Sequence, residues 1–244
     1  MRVGSLRGLG LAGLLILACA IGLPGSARAF TFIDLGLQAG DPAGPLSAVV
    51  VQASDVGDSF DISWNVGDPA LGAEATFLVS SFSASEVVLD ITIAHTTNLA
   101  DSGLANAAVL SMGFGVTPSV VATLVASGEV FDAVGSGNGP LQTFPGGFFL
   151  IDVCVFAAGC SGGNINAGLA AGESDSFQIA LSPRHFDFSH GLVLASFPIK
   201  FQTSAGSFEP PGSVGPPIPE PTSVLLYAGG VLVVAAGAGL RRRR

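Results

Sequence analysis

The sequence predicts an all-β fold for the central part of the chain, an antiparallel β-sandwich or jelly roll. Short runs of alternating or β-branched residues recur between clusters of Gly, Pro, Asn and Asp. Outside the two ends, no stretch keeps a helical period long enough for a typical helix. Phe is abundant, with 17 residues against one Trp and one Tyr, and it fills a core without a polar atom that needs a partner. These features are typical of two antiparallel sheets around an apolar interior.

The clearest strand lies in EVVLDITIAHTT, where Val87, Leu89, Ile91 and Ile93 point to one face and the residues between them point to the other. This alternation predicts a strand with one buried face. The other predicted strands cover residues 30–37, 46–52, 59–65, 75–82, 109–116, 148–156, 176–181 and 192–203. Segments rich in Gly and Pro separate them and predict turns.

The first 29 residues have the features of a secretory signal peptide. Arginines precede an apolar run over Leu9–Leu23, and Ala27-Arg28-Ala29 supplies the small residues of a cleavage site. We therefore expect export across the inner membrane and cleavage after Ala29. A lipoprotein-type cleavage before Cys19 is the alternative, but the A-x-A site is the better formed of the two.

The C-terminal region combines a Pro-Glu-Pro tripeptide, an apolar stretch and four arginines. Thr222–Leu240 contains no charge, and a helix of its 19 residues would be about 28 Å long, close to the ~30 Å hydrocarbon core of a bilayer. Positive flanks stay on the cytoplasmic side during insertion. We therefore expect a transmembrane helix at 222–240 with the preceding domain outside. The residues expected to act as the membrane stop are Arg241, Arg242, Arg243 and Arg244.

Pro219, Glu220 and Pro221, followed by a Gly-rich apolar segment and a terminal Arg cluster, resemble the PEP-CTERM sorting signal of Gram-negative bacteria. The similarity covers about 28 of the 244 residues, and a signal peptide accompanies it, as in that family. The resemblance implies recognition by an exosortase, a multi-pass membrane enzyme of transpeptidase-like type. This enzyme removes the tail and sends the protein to the surface or to an extracellular polymer matrix. A permanent tail anchor is the alternative.

The body of the chain also resembles a subgroup of PEP-CTERM proteins called cistern. The similarity lies in DSFDISWNV, in GFGVTP and in the paired cysteines, and it implies no known activity. We expect the chain to be divided into a signal peptide at 1–29, a β-sandwich domain at 30–203, a Pro- and Gly-rich spacer at 204–217 and the sorting signal at 218–244. The spacer is predicted because its prolines accompany no apolar period.

The exported region, residues 30–218, is strongly acidic. Arg184 and Lys200 are its basic residues, against seventeen acidic ones, and its formal charge is −15. Such a surface disfavours nucleic acid and anionic lipid as partners and offers oxygen ligands to divalent cations. Solubility alone also explains this charge.

Two sets of side chains are candidate sites. Cys154 and Cys160 are expected to form a disulfide in an oxidising exported compartment, whereas a metal site would need further His or Cys ligands that no neighbouring residue supplies. Asp55, Asp58 and Asp61 in DVGDSFD are the candidate calcium ligands. The full calcium-loop pattern is absent, so a solvated turn before a strand is the simpler interpretation.

His185, Asp187 and His190 in PRHFDFSH invite a metal or acid–base interpretation, but no second cluster in the sequence completes such a site. No G-x-S-x-G, phosphate loop or H-E-x-x-H motif occurs. We expect a non-enzymatic structural protein without a cofactor, whose partners are an exosortase, the inner membrane and an exopolysaccharide. The alternative is a β-sandwich module that binds polysaccharide or calcium. A hydrolase using a carboxylate pair comes third.

Overall fold

The computed structural model describes residues 30–34, 47–136, 144–148 and 151–215. The strands in these ranges are β1 Thr31–Asp34, β2 Ser47–Val51, β3 Ser59–Val66, β4 Leu71–Phe82, β5 Val87–Ala94, β6 Ala107–Thr117, β7 Val120–Ala126, β8 Ala133–Ser136, β9 Val153–Phe156, β10 Leu169–Ala170, β11 Ser174–Pro183, β12 Leu192–Ala195, β13 Ile199–Thr203, β14 Gly206–Phe208 and β15 Ser213–Val214. A short helix, α1, covers Leu99–Ser102. The protein is predominantly β with antiparallel sheets, as predicted.

The predicted signal peptide, transmembrane segment and sorting motif lie outside the described residues. Within the ranges that the structure does describe, no helix has both the length and the apolar composition needed to cross a bilayer.

The strands form two sheets. In the nine-stranded sheet, β6 is central because it pairs with β9, β10, β12 and β13, while β2 joins β12 to β1. Strands β8 and β14 extend this sheet by pairing with β9 and β13. The six-stranded sheet has the order β15-β3-β4-β5-β11-β7.

Alternation along the strands of the six-stranded sheet creates its apolar face. Val87, Leu89, Ile91 and Ile93 of β5 are all fully buried, which confirms the face predicted from their spacing. The intervening residues Val88, Asp90, Thr92 and Ala94 are half-buried or exposed. A one-residue change of register would exchange these two sets, so the pattern fixes the pairing of β5 with its neighbours.

Aromatic rings from both sheets meet in the core. Phe60 of β3 and Phe77 of β4 stack with ring centroids 5.0 Å apart. Phe77 then contacts the edges of Phe114, at 5.9 Å, and Phe197, at 5.8 Å. Phe114 belongs to β6 and Phe197 lies between β12 and β13, so these contacts join the two sheets. Trp64 adds a hydrogen bond across the same junction, because its Nε1 donates to the carbonyl of Phe197 at 2.6 Å.

Strand β6 is buried on both faces, which explains why its sequence does not alternate. Ten consecutive residues from Ala107 to Val116 are buried. One face contributes to the main core, and a second, smaller core covers the other side. A strand covered on both sides reads as a continuous apolar run. The second core consists of Phe144, Phe148, Ile151, Cys154 and Cys160.

The domain extends past residue 203, where the sequence predicts a spacer to begin. Strand β14 pairs with β13 of the larger sheet, and β15 pairs with β3 of the smaller one. We call residues 209–215, which follow β14 and include β15, the C-terminal strap. Its Gly212 N–H donates to Phe197 at 2.8 Å, and its Pro210 carbonyl accepts from Ile199 at 3.2 Å. The prolines of this segment interrupt any apolar period. The remaining backbone N–H and carbonyl groups still form the hydrogen bonds that hold the strap against both sheets.

A buried cation also ties the strap to the domain. The Nζ of Lys200, on β13, lies 2.6 Å from Oε1 of Glu209, and both side chains are largely buried. A buried charge is costly unless it is paired, so this contact keeps Glu209 in place.

Asp175, at the start of β11, organises the connection between β7 and β8. Its buried carboxylate accepts hydrogen bonds from the backbone N–H groups of Glu129, Val130, Phe131 and Ser176 at 2.8–3.0 Å. Burial alone would raise the pKa of this carboxyl, but the four N–H donors outweigh burial and lower the pKa below its usual 3.8. The loop therefore depends on an ionised Asp175.

Replacing Asp175 by Asn should lower the free energy of unfolding by about 2 kcal/mol, because the amide would place N–H donors against backbone N–H donors. The pKa of Asp175 is lower in the folded protein than in the unfolded chain. The carboxylate's contribution to stability is therefore complete above the ordinary pKa of 3.8, and it is lost as the pH falls through the pKa of the folded state. Urea unfolding from pH 7 to pH 3 measures both effects. Asp132→Asn, an exposed acid in the same loop, is the control. Equal acid sensitivity of the Asp175→Asn variant and the parent would contradict this role.

Gly212→Ala should destabilise the protein by roughly 1–3 kcal/mol if the strap belongs to the folded domain. A Cβ at this position would lie 2.5 Å from Ile62 Cγ2 and 2.8 Å from Trp64 Nε1. Thermal unfolding compares this variant with Gly67→Ala, whose added Cβ meets no atom within 4 Å. Indistinguishable melting temperatures for the two variants would show that residues 204–217 behave as a spacer after all.

Candidate binding depression

A shallow depression of about 490 Å³ lies where three segments meet. Residues 52–54 follow β2, residues 82–84 end β4 and begin its turn, and residues 188–191 precede β12. Both sheets therefore contribute to its walls. Its volume falls within the ~300–1,000 Å³ that small-molecule sites occupy, and loops on a rigid β scaffold are a common place for binding residues.

The walls of the depression are held by packing and backbone hydrogen bonds. Phe188 is fully buried, its N–H donates to the carbonyl of Ala84 at 2.9 Å, and its ring centroid lies 6.4 Å from that of Phe82. Gly191 has a φ of +89° and donates to Phe188 at 2.9 Å. A Cβ at Gly191 would come within 2.8 Å of the Val51 carbonyl oxygen, so the close approach of the loop to β2 requires glycine here.

Two of the seryl hydroxyls that line the depression donate to the carboxylates of nearby residues. Ser54 Oγ donates to Oδ1 of Asp55 at 3.1 Å, and Ser189 Oγ donates to Oδ1 of Asp187 at 2.5 Å. A hydroxyl has one proton and two lone pairs. Because the proton of each serine is engaged by a carboxylate, its oxygen is available mainly as a hydrogen-bond acceptor.

Asp187 stays ionised, so its carboxylate continues to accept the hydrogen bond from the Ser189 hydroxyl. The Ser189 hydroxyl and N–H both donate to the carboxylate and lower the pKa of Asp187, and the nearby His190 lowers it further. The turn is a local one, in which an Asp side chain accepts from the backbone two residues later. His190 itself is exposed at the rim.

The candidate calcium ligands do not converge on a common site. Asp55 is buried, and its Oδ2 accepts from the backbone N–H of Gln52 at 2.7 Å. Asp61 lies on β3 and accepts from the hydroxyl of Thr76 at 2.6 Å. In the part of the chain that the structure describes, no group of three or more His, Cys, Asp or Glu residues is arranged to hold a metal ion. Asp55 instead closes the turn after β2.

His95, at the end of β5, has a structural position in the core. Its Nδ1 lies 2.9 Å from the Leu169 carbonyl, and its Nε2 lies 2.8 Å from Oγ1 of Thr97. A carbonyl only accepts, so Nδ1 carries the proton and Nε2 accepts from the threonine. Burial lowers the pKa of His95 despite its backbone hydrogen bonds, and the ring is neutral at pH 7.

Cys154 and Cys160 form the predicted disulfide, with an S–S distance of 2.11 Å. The bond closes a short loop after β9 and lies in the second core. The carbonyl of Cys160 also accepts from the Ser111 hydroxyl of β6 at 3.1 Å. The disulfide thus stabilises the second core, which packs on one face of β6.

Ser54 and Ser189, which line the depression, were not predicted from the sequence. Their neighbours Asp55, Asp187 and His190 were candidates from the sequence. The Asp-x-Ser spacing at 187–189 is a usable signal, since it is typical of a side chain that accepts from the backbone two residues later. The meeting of residues 54 and 189 follows only from the fold.

The residues of the predicted sorting signal, Pro219, Glu220 and Pro221 with the arginines at 241–244, lie outside the described residues. No protein-family model matches the chain, and no curated protein is significantly similar to it. The sorting signal therefore stays a prediction from the sequence.

Replacing both Cys154 and Cys160 by Ser should lower the free energy of unfolding by about 2 kcal/mol, the value for a short closed loop. Chemical denaturation with and without a thiol reductant measures the effect. The reductant should destabilise the parent to the level of the double variant and leave the double variant unchanged. A parent insensitive to full reduction would show that the bond does not stabilise the fold.

Proposed function

We propose that this protein is an exported, non-enzymatic structural protein of the cell surface or extracellular matrix, sorted by an exosortase in a Gram-negative bacterium. The observation that carries the proposal is the order of signals along the chain. A signal peptide ends at Ala29, and Pro219-Glu220-Pro221, an apolar segment and four arginines follow the β-rich region. Both signals act on location, and together they bring a folded domain outside the inner membrane.

The limits of the folded domain support this division. Phe30, the first residue after the expected cleavage, is buried, and its ring centroid lies 5.1 Å from that of Phe60. At the other end, β15 finishes at Val214, shortly before Pro219. The strands that the structure describes therefore all lie between the two expected processing sites.

The chemistry of the domain also suits export. A disulfide persists in an oxidising compartment outside the cytoplasm. The surface is acidic, and Lys200, one of the two basic residues of the exported region, is buried against Glu209. A large negative charge keeps a protein soluble and repels anionic lipid headgroups. We interpret the two sheets as a β-sandwich of jelly-roll type, a scaffold that presents loops at its ends.

The strap limits how an exosortase reaches its motif. The link from Val214 to Pro219 spans at most about 18 Å when fully extended. Proline disfavours helix continuation, so a Pro-Glu-Pro stretch would offer an extended, accessible backbone to the enzyme. The enzyme would therefore cut close beside the folded domain, and the motif would lie at the outer face of the membrane.

Replacing Arg241, Arg242, Arg243 and Arg244 by Gln should lower the processed fraction of the protein several-fold. Each arginine costs roughly 2.5–3.5 kcal/mol at the centre of a bilayer, so four of them hold the C-terminus in the cytoplasm. Glu220→Ala should leave membrane insertion intact but reduce processing. Blots of processed and unprocessed protein measure the ratio, beside a reporter of C-terminal topology.

Pro216→Ala with Pro217→Ala is the matched control for the motif, because it changes two prolines just before it. This control should be processed like the parent. If the variant with four glutamines is processed at the parent's rate, the arginines do not act as the membrane stop. Full-length protein held permanently in the inner membrane beside an active exosortase would favour the tail anchor instead.

A further inference from the structure

We propose that the depression bounded by residues 52–54, 82–84 and 188–191 binds an uncharged sugar unit of a polysaccharide. The physiological ligand named here, a matrix polymer, rests on the proposed function, but the site itself is argued from its own geometry. It would make the domain a direct contact between the protein and the polymer around the cell.

The lining of the depression combines polar and apolar side chains and carries no acidic side chain, lysine or arginine. Gln52 supplies an amide, His190 an imidazole, and Ser54, Ser83 and Ser189 supply hydroxyl oxygens. Such groups form hydrogen bonds without providing a counter-charge for an anion. They also lack the several carboxylates that a calcium ion requires. The chemistry therefore favours a neutral ligand with many hydroxyls.

Two of the three lining serines, Ser54 and Ser189, require the ligand to supply the hydrogen-bond donor. Their protons point to Asp55 and Asp187, at 3.1 and 2.5 Å, so their oxygens accept. A sugar hydroxyl can donate to them. A carboxylate or sulfate group has only acceptors at neutral pH, and it would lie close to the carboxylates of Asp55 and Asp187, which the two serines contact. Neutral polysaccharides are therefore expected to bind, and anionic ones are not.

An aromatic side chain completes the site. Phe82 is partly buried and lines the depression, and the buried ring of Phe188 lies against it with centroids 6.4 Å apart. An aromatic ring offers an apolar surface to the C–H groups of a sugar, while polar groups around it fix the orientation. Because the depression is shallow, one domain should bind weakly, and retention on a polymer with many repeats would rise through multivalency.

Full-length protein purified in detergent tests the proposal by affinity electrophoresis and calorimetry. The probes are dextran, mannan and laminarin as neutral polymers and alginate as an anionic one. At least one neutral polymer should bind, alginate should not, and EDTA should leave binding unchanged. Ser54→Ala and Ser189→Ala should each raise the Kd by about five-fold, as expected for the loss of one hydrogen bond.

Ser207→Ala is the matched control, since Ser207 is an exposed serine on β14 whose hydroxyl also donates to a side chain, Gln202. This variant should bind like the parent, and equal melting temperatures of the three variants show that folding is unchanged. Failure of all three neutral polymers to bind would overturn the proposal, as would equal binding of alginate or parental affinity in both depression variants. None of these outcomes affects the processed fraction on a blot, so the site and the sorting proposal can fail separately.

Discussion

The position of Phe197 holds the parts of this domain together. Its ring packs against Phe60 and Phe77 of the smaller sheet and Phe114 of the larger one, with centroids 5.8–6.3 Å apart. Its carbonyl accepts from both Trp64 and Gly212. One residue thus contacts both sheets and the C-terminal strap, so each of these parts depends on the same packing.

This arrangement requires an unusual backbone. Ser196 and Phe197 have φ angles of +70° and +22°, where residues other than glycine are rare and strained by about 1–3 kcal/mol each. Burial of a phenylalanine side chain contributes about 1.5–3 kcal/mol, and the two hydrogen bonds add to it. The strain at the junction of β12 and β13 is therefore offset by what the turn places in the core.

The sequence predicted the strands whose two faces differ. In β5 the period of two is clear because one side is buried and the other is not. Strand β6 does not alternate, since both of its faces are covered, but its apolar run was still predicted as a strand at 109–116. Strands β14 and β15 were not predicted, because they are short and lie among prolines and glycines. These last pairings depend on partners far away in sequence, such as β15 with β3. The binding depression was missed for the same reason, because Ser54 and Ser189 become neighbours only when β2 and β12 pair.

The disulfide was predictable because two cysteines close together, in a region that the sequence predicts to be exported, leave few alternatives. The calcium interpretation of Asp55, Asp58 and Asp61 rested on proximity in sequence alone. Side chains on a strand and in the turn before it need not converge, and the hydrogen bonds of Asp55 and Asp61 run to different parts of the fold. Acidic residues here organise turns and neighbouring hydroxyls, a role that a count of charges does not reveal.

The C-terminal strap also determines how the domain would respond to mechanical load. Gly215 is the last residue that the structure describes, and its N–H donates to the Asp61 carbonyl at 2.9 Å, so tension from the C-terminal side would load this bond first among those described. The pair of residues in β15 would peel from β3 next, followed by the contact of Gly212 with Phe197. Each step breaks only a few hydrogen bonds, so the strap would detach one contact after another before the two sheets separate. The aromatic contacts between the sheets would remain intact.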